Sequence, residues 1–133
     1  MSNWNDSLLT GVTLIDDEHR KLIAFIDKLI DSMKQGKSKE EISQILSNSI
    51  NYAKEHLRDE ENLLERNAYP GFNAHKRQHA QFTMQVDELV REFKNTGSNV
   101  ALIAKMNKTL AEWLVSHIST EDKKIGEYMS SQR

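Results

Sequence analysis

The chain has 133 residues, of which 29% are charged and 38% hydrophobic, a size and balance suited to one helical domain over residues 1–133 with a single core. Its formal net charge of −2 argues against nucleic acid as a partner, and the absence of cysteine excludes disulfides, thiolate ligands and iron–sulfur clusters. The opening residues MSNWNDSLLTGV lack the basic start and apolar run of a signal peptide, and no apolar stretch approaches the roughly 20 residues of a transmembrane helix, so a cytoplasmic protein is expected.

Residues 1–15 carry Trp4, Leu8, Leu9, Val12 and Leu14 without clean periodicity, which predicts an extended arm packed over one end of the fold. Asp16 or Asp17 is the expected N-cap of a first helix. In that helix His19, Leu22, Ile23, Ile26, Leu29, Ile30 and Met33 recur at spacings of three and four, and Gly36 is its expected stop. Ser38 and Glu41 fit a capping box opening a second helix. Its inner face is Ile42, Ile45, Leu46, Ser49, Ala53, His56, Glu60, Leu63, Leu64 and Asn67, with a histidine and a glutamate where the period calls for apolar side chains.

Tyr69-Pro70-Gly71 is a strong turn signal. A third helix, with Asn73 as its expected cap, presents His75, His79, Phe82, Val86, Leu89, Val90 and Phe93. After Thr96-Gly97-Ser98 a fourth presents Val100, Ile103, Met106, Leu110, Trp113, Leu114, His117, Ile118 and Ile125, with Asp122 nearby. Short turns between four helices predict an all-α, up-down-up-down antiparallel four-helix bundle.

That connectivity gathers the unusual residues. An i,i+4 pair is offset by about 40° around a helix, so His56 and Glu60 share a face, as do His75 and His79. His19 and the His75/His79 pair open their helices, whereas His56, Glu60, His117 and Asp122 come late in theirs. Antiparallel packing therefore brings all of them to one end of the bundle. All five histidines of the chain fall on these inward stripes, and burying them with two carboxylates and no cation would cost several kcal/mol per unpaired charge.

A single histidine on such a stripe is more often a hydrogen-bonded core residue; the constellation points to metal. Five imidazoles and two carboxylates exceed one tetrahedral zinc, and they suit iron, manganese or copper better than calcium or magnesium. Two metals bridged by Glu60 and Asp122 use every donor. His117 and Asp122 are five apart, about 140° on a regular helix. Either the helix widens there into a π-type turn or the carboxylate reaches round from the flank, and Glu121 is the substitute.

Taken together, Trp4, the segment Gly11…Ile15-Asp16-Asp17-Glu18-His19…Leu22, the run His56-Leu57-Arg58-Asp59-Glu60-Glu61, Tyr69-Pro70…His75…His79…Phe82 and Trp113-Leu114-Val115-Ser116-His117-Ile118…Asp122-Lys123 resemble the hemerythrin family, and within it the single-domain bacteriohemerythrins. Leu57 departs from the phenylalanine that many members carry there. The resemblance implies a non-haem di-iron centre for reversible O2 binding in storage, transport or delivery. It implies that His75, His79 and His117 hold the six-coordinate iron and that His19 and His56 hold the O2-binding iron. Glu60, Asp122 and an oxo or hydroxo group are then the bridges, which favours Asp122 over Glu121.

Leu114, Ile23, Trp113 and Ile118 lie one turn from, or beside, donor positions and are the expected O2 pocket. The alternatives are O2 or redox sensing and di-iron oxidase or peroxidase activity. Against an enzyme, no histidine stands three residues after a glutamate, the spacing usual in bundle-borne di-iron oxidases. A monomer is expected, with an unidentified O2-consuming acceptor. The residues holding each imidazole's second nitrogen are open, with Glu55, Asp59 and Glu61 nearest in sequence.

Overall fold

The structure, a computed structural model, describes residues 4–132. Four helical rods pack antiparallel, and there is no strand among the described residues. α1 (Thr13–Lys34), α2 (Lys39–Arg66) and α3 (Phe72–Thr96) are regular. α4 covers residues 100–131, with regular turns at Val100–Met106, Trp113–His117 and Lys123–Ser131 separated by wide π-type turns at Asn107–Glu112 and Ile118–Asp122.

The breaks follow local chemistry. Gly36 and Gly97 adopt φ of +71° and +70° after α1 and α3, the left-handed conformation that glycine accepts without a Cβ clash. Ser38 Oγ accepts the Glu41 amide at 3.1 Å. Only half of the expected capping box forms, because the Glu41 carboxylate faces Lys37 Nζ at 3.9 Å instead of returning to Ser38. Asn67 is exposed and ends α2, so it is not part of the inner face.

Two expected caps are corrected. α3 starts at the turn itself, with Gly71 at the cap and the Phe72 amide bonded to Tyr69 O at 3.1 Å, which leaves Asn73 inside the first turn. α1 starts before Asp16 and Asp17, with Val12 at the cap. The Asp16 carboxylate, buried to 7% exposure, instead accepts the Thr10 amide and hydroxyl at 2.8 Å each and the Gly11 amide at 3.1 Å. Those bonds satisfy a buried anion and tie the arm to α1.

The arm is less extended than expected, since Asp6–Leu8 form a 3-10 turn that buries Leu8 in the core. Along α4 the sequence period fails at its start: Val100 is 86% exposed and Leu102 takes the core position.

The core has two apolar layers with a polar layer between them. The larger layer includes Leu22, Ile26, Leu29, Phe82, Phe93 and Met106. The smaller, at the bundle end, joins Ile15, Leu64 and Ile125. Ile15 precedes His19 by one turn, while Leu64 and Ile125 follow Glu60 and Asp122 by one turn. The donor residues are therefore sealed above and below by aliphatic side chains.

Candidate metal centre

His19 comes from α1, His56 and Glu60 from α2, His75 and His79 from α3, and His117 and Asp122 from α4. Each is at most 7% exposed. The structure thus brings together all seven residues that the sequence singled out. Their atoms sort into two groups. Glu60 Oε1 faces His75 Nε2 in a very short contact and His79 Nε2 at 3.2 Å, whereas its Oε2 faces His56 Nε2 at 3.3 Å and His19 Nε2 at 3.6 Å. Asp122 Oδ1 lies 3.1 Å from His75 Nε2 and 3.2 Å from His117 Nε2, and its Oδ2 lies 3.0 Å from His19 Nε2. Donor atoms of Glu60, His75, His79 and His117 are mutually close enough to hold a cation, and so are those of His19, His56 and Glu60.

The donor set passes a direct test of fit. His19 Nε2, His79 Nε2, His117 Nε2, Glu60 Oε2 and Asp122 Oδ1 are buried and have no hydrogen-bond partner. Orphaned polar atoms are rare in folded proteins, and each is costly. Such a cluster, sorted into two groups, has the make-up of a donor shell that could hold metal, and imidazole with carboxylate is the chemistry of first-row transition metals.

Two imidazoles are held from outside the cluster. The His56 Nδ1–H donates to Glu18 Oε1 at 2.8 Å, and the His79 Nδ1–H donates to Glu61 Oε2 at 3.0 Å. A carboxylate oxygen accepts there, so each bond keeps a ring proton on Nδ1 and aims Nε2 inward. Glu61 was among the sequence candidates; Glu18 was not. Its signal was its place beside His19, in the same helical turn as a donor.

Electrostatics couple the layer. Burial opposes charge on His56, yet bonds to Glu18 and Glu60 outweigh it and push the pKa up to about 10. His75 is likewise driven down by burial and up by Asp122 and Glu60, ending at about 9. Burial would raise Glu60 and Asp122, but the surrounding imidazoles hold both below the ordinary carboxylate range.

Widening of α4 places Asp122. The Lys123 amide donates to Ile118 O, five residues back, and this larger turn brings His117 and Asp122 onto one face. Thr120 Oγ1 and Ser119 Oγ donate to Ser116 O at 2.8 and 3.1 Å, supporting the wide turn's backbone. Glu121 points away, with its carboxylate 3.6 Å from Lys124 Nζ.

Among the expected pocket residues, Ile23, Leu114 and Ile118 are buried. Trp113 is half-buried and stacks flat on His117 at 4.8 Å, with Phe82 stacked on it at 4.3 Å. Below the site a cavity of about 30 Å³ is lined by Leu22, Ala53, Phe82 and Leu110, among others. That is room for about one small molecule.

A helical bundle carrying imidazoles and carboxylates from facing helices defines the class of bundle metalloproteins. Within that class the chain belongs to the hemerythrin family: residues 10–129 match the hemerythrin HHE cation binding domain. It is 32% identical over 119 residues to a bacteriohemerythrin of Pseudomonas aeruginosa (strain LESB58), covering 90% of this chain and 75% of the relative. A bacteriohemerythrin of Methylococcus capsulatus is 29% identical over 122 residues, covering 92% and 91%. Myohemerythrin of Sipunculus nudus is 26% identical over 119 residues, covering 90% and 86%.

Proposed function

We propose that this chain binds O2 reversibly at two irons held by His19, His56, His75, His79, His117, Glu60 and Asp122, and that it stores or delivers the gas. The observation that carries the reading is the division of carboxylate oxygens. Glu60 and Asp122 each turn one oxygen toward the His75 group and the other toward the His19 group. One side then offers three imidazoles and two carboxylate oxygens, the other two imidazoles and two oxygens. Two irons held there would supply the O2 chemistry, and the His19/His56 side, which has one imidazole fewer, would be the side open to the gas.

The chain's own residues protect that chemistry. Leu114, Ile23 and Ile118 are buried within a turn of donor residues, where they would help to exclude water, and Trp113 packs on His117 at the flank. We read the protein as a carrier and not a catalyst, in keeping with the absence of a Glu-x-x-His spacing. We also read it as a cytoplasmic monomer serving an O2-consuming acceptor. Among the described residues, the exposed large apolar side chains (Leu9, Leu14, Met84 and Val100) are spread over the arm, α1, α3 and α4. No helix among the described residues is long and apolar enough to cross a membrane.

Anaerobically reduced, iron-loaded protein should hold two irons per chain. It should gain a visible absorption band in air and lose it again when O2 is removed. One iron per chain, or steady O2 consumption in the presence of a reductant, would overturn the reading.

Loading should also release protons. With the His56 pKa at about 10 and that of His75 at about 9, both rings are protonated at neutral pH in the metal-free chain. A cation must expel those protons to reach Nε2, so affinity falls as pH drops below about 10 and more steeply below about 9. Titration of Fe(II) into metal-free protein at pH 7, by calorimetry in buffers of different ionisation heat, should show net proton release on loading, to which His19, also raised, contributes. Heat independent of the buffer would contradict this.

A further inference from the structure

We propose that Glu18 and Glu61 are positioning residues that each govern retention of one metal of the pair, Glu18 for the His19/His56 ion and Glu61 for the His75/His79/His117 ion. The inference rests on the two-metal reading above.

Both glutamates are built into the fold in the same way. Glu18 precedes the donor His19 on α1 and bonds His56 on α2 at 2.8 Å; Glu61 follows the donor Glu60 on α2 and bonds His79 on α3 at 3.0 Å. Each helix thus delivers a donor to the cluster and, from the adjacent residue, grips an imidazole on the next helix. The gripped imidazoles belong to different groups. The His19 Nδ1, by contrast, is buried with no hydrogen-bond partner.

The glutamate side chains are 15% and 23% exposed, at the boundary between solvent and the sealed layer. There each carboxylate reaches solvent while its bond to the imidazole is shielded. A carboxylate on Nδ1–H fixes the tautomer and strengthens donation from Nε2, and losing such a partner weakens metal binding roughly 10–100-fold. When Glu18 is neutralised, the group with two imidazoles loses its one Nδ1 bond, since the His19 Nδ1 has none. The other group keeps two imidazoles independent of Glu61. Glu18 is therefore the more consequential of the two.

Cobalt(II) is the probe, because its visible band is intense at four or five donors and faint at six. Metal-free full-length parent, Glu18→Gln and Glu61→Gln are titrated with Co(II) anaerobically, with Glu55→Gln, an exposed acid beside His56, as the control. The parent and Glu55→Gln should take two ions. Glu18→Gln should bind the intense-band ion roughly 10–100-fold more weakly and spare the faint one, with Glu61→Gln showing the reverse pattern. Should either glutamine variant lose its far-UV helicity, the aspartate at that position, one methylene too short to reach, must give the same selective loss.

Variants that titrate like the parent, or that lose both ions equally, would overturn the inference alone. A parent that takes fewer than two ions would overturn the two-metal reading, and the inference with it.

Discussion

Replacing Glu60 with alanine should abolish binding of the metal pair while leaving the helices in place. Glu60, like Asp122, faces both donor groups, and its oxygens fall within both sets of mutually close donor atoms. Its two oxygens approach four different imidazoles, those of His19, His56, His75 and His79. Two divalent ions about 4 Å apart repel by on the order of 15 kcal/mol even at an effective dielectric constant near 20. Bridging anions are what make such proximity tolerable, and alanine removes one of two. Asp122 cannot replace it, since its oxygens already face His19, His75 and His117. The expected result is at most one iron per chain, held at least 100-fold more weakly, and no reversible colour change in air. Iron analysis and absorption spectra check it. Two irons retained by Glu60→Ala would mean that the carboxylate is not a bridge.

Much of this centre was legible in the chain because its residues violate a pattern. His56, Glu60, His75, His79 and His117 occupy positions where the helical period asks for aliphatic side chains, and antiparallel connectivity decides which ends meet. The five-residue gap from His117 to Asp122 left two readings open, a widened turn or a carboxylate reaching round from the flank, and the structure has the widened turn.

What escaped depends on contacts between helices or on backbone satisfaction, to which periodicity is blind. Glu18 reaches His56 across the α1–α2 interface, so neighbours on His56's own helix gave no sign of it. Asp16 has the composition of a cap, yet its carboxylate receives amides from upstream. Leu102 and Ile103 precede Met106 by four and three residues, and both spacings satisfy the helical rule. Only packing decides that Leu102 is buried at 0% exposure.

Gly126→Ala should be among the most destabilising substitutions outside the donor set, although helix propensity alone argues the opposite. Gly126 is a buried position inside Lys123–Ser131, where alanine is favoured over glycine by about 1 kcal/mol. A Cβ there would lie 1.9 Å from the backbone oxygen of Thr10, a distance that no side-chain rotation relieves. The arm must move. Moving it withdraws Leu8, 1% exposed, from the core at a cost of about 1.5–3 kcal/mol. It also strips three hydrogen bonds from the buried Asp16 carboxylate, where each bond to a charged group is worth about 1.5–3 kcal/mol before water replaces it. Sterics outweigh propensity, and a net loss of about 3–5 kcal/mol is expected, roughly 10–20 °C in Tm. Since Gly126 follows Asp122 by one turn, release of the arm should also uncover the metal end and speed iron loss to a chelator. A double-mutant cycle isolates the cause: if the arm is what moves, Leu8→Ala should cost much less in the Gly126→Ala background than in the parent. A Gly126→Ala protein at least as stable as the parent would mean that the arm is not seated on α4 as described.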